Sequence, residues 1–542
     1  MNTARFSQHQ ERYFSYAALI LLLIYAAAGL FLFDDYGCGP DEGMERQTAL
    51  VNYKYVVRRL HIPISKESET WLEYLPALHE YRDRYYGTAL HFPLVLIESL
   101  THFSLEPAQF YGLRHLYTFL NYFLGVVSMY LLLSKRFRSR GYGLAGMLLM
   151  ILSPRFFAES FYNNKDVIFV AWYAICAYLM DLWFRKRDGK TSVMLAFSLA
   201  LTCNTRFNGI IYLAVFVFLY GFDLLRNHSR RGWRQFLFTL VLTILFFYVI
   251  TPNFWDSPFR TLLETLQFNM RHPNHGSEGN LFKGILVDAA RTYTYIPVWI
   301  ALTIPTVYLL FTVFGTGWYC KELFMDVLRG KFKNIDLMDA LMFISGFGAV
   351  VFIIVTHVTI YNGWRHCYFA YPCFVYFAVY FLSCVRSLKK SAVFVGCCTL
   401  LGCSAVYNGV WITLNHPFEY VYFAPWARSR ASEFSGDYWS VSSRALLEYI
   451  TEADPEMMLL VNHAHSQAGS INRGLLPEEQ RQFLELTYDE TPAVDYYIVC
   501  RDDIPSVDII PDDFEKVYSV IVDKDEIGAV FKRVRNEQAN AE

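Results

Sequence analysis

About eleven apolar segments punctuate this chain, at 15–33, 114–133, 142–153, 167–184, 192–203, 209–225, 236–251, 296–318, 338–356, 368–385 and 391–413. Most run to roughly 16–22 residues nearly free of charge, the length a helix needs to cross a bilayer. In hydrocarbon every backbone N–H and C=O must be paired within the segment, so such runs fold as helices. The composition agrees: 54% of the 542 residues are hydrophobic and 18% charged, where a soluble chain carries about 45–50% and about 25%. A soluble enzyme, a disulfide-stapled secreted domain and a disordered chain are thereby excluded. The net charge of −2 gives no basic field for nucleic acid. The first segment is longer than the apolar core of a secretory signal, and it reads as a retained signal anchor.

Lys and Arg cluster at 135–140, 185–190, 226–234, 321–333 and 386–390, after every even-numbered segment. The positive-inside rule places these loops and the N-terminus in the cytoplasm. With an odd number of spans, the tail must then face outward. The outward side holds loops at about 34–115 and 252–295, short connections at 153–166, 204–208 and 357–366, and everything from 415 onward. Amphipathic spacing at 42–60 (Ala49, Val56, Leu60) predicts a helix lying on the membrane surface. The expected organisation is mainly α: a polytopic membrane domain over 1–414 and a small α/β domain over 415–542. In the tail a helix is expected at 440–450, with strands at 457–461, 495–499, 517–522 and 529–534. Of the eleven cysteines most lie inside apolar runs; Cys38 and Cys500 lie outside them and are the two candidates for pairing.

Charge close to hydrocarbon is costly and needs a reason. Asp41 and Glu42 follow the first span; paired carboxylates there suit a general base or the ligands of a divalent cation, and equally the first turn of a helix. The 153–166 run carries Arg155, Glu159, Lys165 and Asp166; Arg206 and the Arg365–His366 pair stand at two further outward junctions. A single snorkelling Arg is unremarkable. Cations at several outward junctions, against the topological bias, point to a shared anion site.

The stretches 40–42 (Pro-Asp-Glu), 153–166, 293–299 (Tyr-Thr-Tyr-Ile-Pro-Val-Trp) with 303–305 (Thr-Ile-Pro), and 363–366 (Gly-Trp-Arg-His) are together similar to the GT-C glycosyltransferases. The group they resemble contains the protein O-mannosyltransferases and the aminoarabinose transferases of lipid A. The tail from His416 to Trp439 is similar to bacterial members of unassigned acceptor. The resemblance implies a GT-C-like fold and transfer of a sugar from a polyprenyl phosphate to a hydroxyl, usually with inversion. It also implies that Asp41 acts as base or orients the acceptor, with Glu42 beside it. On physical grounds Arg155, Lys165 and Arg206 would bind the donor phosphate, supported by Asp166, Arg365 and His366. The segment 85–93 departs from the Lys-Pro-Pro run of the aminoarabinose transferases.

The expected protein is therefore a multi-pass membrane glycosyltransferase, in a bacterial inner membrane or, in a eukaryote, the endoplasmic reticulum. Its partners would be a polyprenyl-phosphate sugar, a lipid, glycan or protein acceptor and membrane lipids. No cofactor is required by the residues, and a divalent cation is the one they would admit. Two rivals are a transporter or flippase of a lipid-linked or polar solute, which would carry charge at mid-membrane, and a polymerase or ligase of surface polysaccharide.

Overall fold

A computed structural model of the chain describes residues 6–228, 231–271, 279–455, 457–463, 466–488, 494–501 and 510–534. All eleven apolar segments are helical. Among the described residues, seven helices are long and apolar enough to cross a membrane by themselves: Gln8–Leu32, Pro107–Arg136, Asp166–Lys186, Phe207–Asn227, Leu337–Val355, Arg365–Ser387 and Ser391–Asn415. The other four segments are short or broken. Gly189–Thr205 and Trp233–Val249 have 17 residues each, about 25 Å at the helical rise. Pro305 divides 296–318 into Tyr295–Thr303 and Thr306–Leu328. The first and last spans expose apolar side chains such as Leu19, Leu23, Val406 and Val410, as lipid-facing helices do. The chain is an integral, multi-pass membrane protein.

The segment at 142–153 differs from expectation in an informative way. Helix Arg140–Ile151 turns through 68° into a second helix, Pro154–Tyr162. Pro154 has no N–H to continue the ladder and takes the first position of the new helix, where that loss is harmless. All nine residues of the second helix are buried. The 153–166 run is thus a buried helix followed by a turn, rather than a short outward loop.

The two ends of the bundle separate as the charge pattern requires. At one end Arg136 pairs with Asp339 at 2.6 Å and Arg226 donates to the carbonyl of Ile335, joining loops that carry the basic clusters. At the other the tail meets the first long loop: His416 Nε2 lies 2.9 Å from Asp35 Oδ2, and Arg444 donates to the carbonyl of Asp34. An alkaline phosphatase fused to the C-terminus is accordingly expected to be active. A silent phosphatase with a bright cytoplasmic fluorescent reporter would invert the topology.

The tail is an α/β unit. Among the described residues its sheet has five strands in the order Leu484–Thr487, Leu459–His463, Tyr496–Cys500, Asp525–Arg533, Phe514–Val522. The first two pairings are parallel and the last two antiparallel. Helix Ser466–Leu475 makes the crossover to Leu484–Thr487, a strand the sequence reading lacks, and packs against helix Pro40–Leu60. Cys38 and Cys500 are both buried thiols. Cys38 lies beside His115 and Cys500 beside Ser443, so the two do not pair.

Candidate active site

The acidic pair after the first span begins helix Pro40–Leu60, with Pro40 at its first position and Glu42 Oε1 accepting the N–H of Gly39 at 3.1 Å. Consecutive helical residues diverge by about 100°, and the two carboxylates take different partners. Asp41 Oδ2 accepts a hydrogen bond from Arg365 Nη1 at 2.8 Å. Glu42 Oε2 lies 3.0 Å from His115 Nε2, buried away from Asp41's surroundings. The pair is therefore neither a joint base nor a joint cation site; Glu42 departs from its expected place beside Asp41.

Around Asp41 three cations and three carboxylates interlock. Arg365 Nη1 also approaches Asp166 Oδ2 at 3.7 Å, and Arg206 donates to the other oxygen of Asp166. Lys165 donates to Glu45, one turn after Asp41 on the same helix, and its ammonium lies 3.7 Å from the centre of the Tyr86 ring. The segment 85–93 carries no Lys, and the cation at its Tyr86 comes from the start of helix Asp166–Lys186. Arg365 is stacked between Trp439 at 4.5 Å and Tyr361 at 4.8 Å. Arg365, expected only to support the site, stands at its centre. His366 packs edge-on against Tyr361 at 4.7 Å and lines neither cavity described below.

The charges set the protonation states. Burial opposes ionisation of Asp41, but Arg365, Lys165 and Arg206 outweigh it and hold the carboxyl below its usual range. Burial dominates at Glu45 and raises its pKa despite Lys165. His91, 3.6 Å from Glu45, is driven down to about 3 by burial and by Arg114 and Lys165, so it faces Glu45 as neutral imidazole.

Arg155 is elsewhere. Its guanidinium reaches Glu159 at 4.0 Å, the carbonyl of Tyr422 at 3.5 Å and the Trp299 ring at 5.9 Å. Glu159 in turn accepts from Tyr368 at 2.8 Å and Asn163 at 2.7 Å. Arg155 lines neither cavity, so it does not share a site with Lys165 and Arg206 as the sequence suggested. Its place in the buried helix Pro154–Tyr162 turns it into the bundle.

The other stretches noted in the sequence meet here. Gly363, at φ +71°, donates its N–H to Tyr295 Oη at 3.0 Å, and Trp364 Nε1 donates to Thr303 Oγ1 at 2.8 Å. Two cavities adjoin the charged cluster. The larger, about 1110 Å³, is lined by Asp41, Arg365, Tyr361, Trp439, Gln467 and Tyr488 among others, so the first loop and the tail both wall it. The smaller, about 60 Å³, takes in Lys165, Arg206, Tyr86, Gly87, Phe247 and Phe254. Gly87 closes it by touching the end of helix Gly189–Thr205: a Cβ there would fall 1.6 Å from the Asn204 carbonyl oxygen. Gly87→Ala must therefore push 85–93 away, at an expected cost of about 1–3 kcal/mol. A variant melting at the wild-type temperature would contradict this close approach.

Glu45 and Trp439 were not singled out as site residues. Glu45 had a signal, lying four residues after Asp41 on the same helical face; Trp439 had only its place in a tail stretch.

A family model described as dolichyl-phosphate-mannose-protein mannosyltransferase matches residues 114–255. That span holds Arg155, Lys165, Asp166 and Arg206 but neither Asp41 nor Arg365, and over it the expected family resemblance is borne out. No curated protein sequence matches. Among the solved structures similar along the length of the chain are two of ArnT from Cupriavidus metallidurans. The one bound to undecaprenyl phosphate has 12% identity, TM-score 0.43 and coverage of 95% of this chain and 98% of its own. The apo structure has 12% identity, TM-score 0.44 and the same coverage.

Proposed function

We propose that this chain is a membrane glycosyltransferase that moves a sugar from a polyprenyl-phosphate donor to a hydroxyl acceptor at the outward face. The observation that carries the reading is the placement of Asp41: ionised, on the wall of the large cavity, and one salt-bridge chain away from the Lys165–Arg206 pocket. The similarity of residues 114–255 to a mannosyltransferase family supports it.

In this reading the acceptor hydroxyl arrives through the large cavity and attacks the anomeric carbon. Its proton passes to Asp41 as the new glycosidic bond forms and the hydroxyl becomes acidic. The bond from the anomeric carbon to the phosphate oxygen breaks, and its electron pair stays on the phosphate. Lys165 and Arg206 stabilise that charge; Arg365 holds Asp41 in line. The aromatic walls Phe247 and Phe254 put the phosphate pocket next to helix Trp233–Val249, whose exposed Val241, Ile244 and Leu245 face lipid. A lipid tail can thus stay in the bilayer while its headgroup reaches the cations. Each cation already has a carboxylate, so phosphate must displace one; Glu45, with its raised pKa, is the one most easily neutralised.

The test is purified protein in nanodiscs, given labelled polyprenyl-phosphate hexoses and pentoses with a cell-envelope fraction as acceptor. Label should move to the acceptor with release of polyprenyl phosphate. In sealed vesicles, a donor that crosses the membrane intact without release would instead show a flippase.

A further inference from the structure

Glu42, turned away from the cavity, belongs to a second cluster. Cys38, Glu42 and His115 are all buried, and one ligand atom from each lies within 4.8 Å of the others; they form the one such group among the described residues. We propose that these three side chains bind a single thiophilic divalent metal ion, with zinc the best fit, at the joint between the first span, helix Pro40–Leu60 and helix Pro107–Arg136.

The distances fit. His115 Nε2 lies 3.6 Å from Cys38 Sγ and 3.0 Å from Glu42 Oε2. Tetrahedral zinc, with bonds of about 2.0–2.1 Å to nitrogen and oxygen and about 2.3 Å to sulfur, separates nitrogen from sulfur by about 3.5 Å and from oxygen by about 3.3 Å. Of these two separations only the second needs to grow, by a few tenths of an ångström; the sulfur and the carboxylate lie within 4.8 Å of each other.

The hydrogen bonding fits as well. His115 Nδ1 is 3.0 Å from the carbonyl oxygen of Phe33. A carbonyl only accepts, so Nδ1 carries a proton, and Nε2 faces a carboxylate and a sulfur. An imidazole nitrogen and a carboxylate at 3.0 Å hold either a proton or a metal ion between them. A proton on Nε2 would serve Glu42 alone; a metal serves all three ligands at once. The backbone carbonyl on Nδ1 is the outer partner that orients a metal-binding imidazole.

The frame is built rather than incidental. Both main-chain groups of Cys38 are held by Asn472 of the tail, at 2.9 Å each, and the second oxygen of Glu42 is fixed by the Gly39 N–H. A cavity of about 500 Å³ beside His115, lined by Phe33, Asp34, Tyr36 and Arg444, gives access and room for a fourth ligand, water. Thiolate with imidazole selects zinc, cobalt or cadmium over magnesium or calcium, which prefer oxygen. Binding releases the thiol proton and the proton shared by His115 and Glu42. Because Glu42 follows Asp41 in the same helical turn, the ion would pin the start of the helix that presents Asp41; its role is positional.

Full-length protein, purified in detergent and stripped with a chelator, tests the proposal with cobalt(II). One equivalent should bind and give a thiolate-to-cobalt charge-transfer band, which zinc abolishes and magnesium does not. Cys38→Ser should remove the band, and His115→Gln should weaken binding by more than about 100-fold. Zinc should raise the melting temperature of the wild type, a reading that does not depend on the variants folding. Folded wild type that takes up cobalt with no charge-transfer band, or keeps the same band after Cys38→Ser, overturns the site.

Discussion

Asp41→Asn is expected to lower sugar transfer by roughly 10²–10⁴-fold while donor binding stays within a few-fold of wild type. Asn keeps the size of the side chain and a hydrogen bond to Arg365, and removes only the charge that receives the proton. Arg365 retains Asp166 at 3.7 Å, so the loss of stability should be about 1–2 kcal/mol, readable as a modest fall in melting temperature. The pH profile offers an independent check. The cations around Asp41 depress its pKa in the fold, so the stabilisation from its pair with Arg365 is complete above the ordinary Asp value of about 3.9. It is lost only as pH falls through the lower folded value. The acidic limb that Asp41 imposes on kcat/KM should then lie below about pH 4. An Asn variant transferring sugar at the wild-type rate would remove Asp41 from the chemistry.

The cations should divide into two classes. Lys165→Ala and Arg206→Ala each delete a charge-assisted contact to phosphate, worth roughly 1.5–3 kcal/mol or about 10- to 150-fold in kcat/KM for the donor. The fold should survive both: Glu45 takes up a proton when Lys165 is gone, and Asp166 keeps Arg365. Arg155→Ala is different. It leaves Glu159 buried without its cation, and a fall in stability of about 3–5 kcal/mol is expected in place of a specific donor defect. Melting curves beside donor titrations separate the classes. Equal donor defects in all three variants, with unchanged melting, would restore the single three-cation site that the sequence suggests.

Much of the architecture is legible in the residues because hydrophobic length is local information. The eleven apolar segments and the even-numbered basic loops need no knowledge of packing. The bend before Pro154 does, since the charged run that follows reads as a loop and only the buried fate of Phe156, Phe157 and Phe161 makes the chain fold back as a helix. That one bend explains the misplacement of Arg155, ten residues from Lys165 in sequence but carried into a different network. Neighbourhood misleads at Asp41 and Glu42 too, where helical geometry sends adjacent carboxylates to different partners. Strand Leu484–Thr487 escapes notice because its four residues carry too little pattern, and the parallel pairing with Leu459–His463 makes it. What the sequence could not supply is pairing across distance: Glu45 with Lys165, Arg365 with Trp439, Cys38 with His115.

In the proposed reaction the donor's phosphate seats between Lys165 and Arg206, in the pocket that both line. A cryo-electron-microscopy structure with polyprenyl phosphate bound measures this directly. Phosphate oxygens are expected about 2.7–2.9 Å from Lys165 Nζ and from the Arg206 guanidinium, with the lipid leaving past Phe247 towards the bilayer. Phosphate density on Arg155, or outside both cavities, would contradict it.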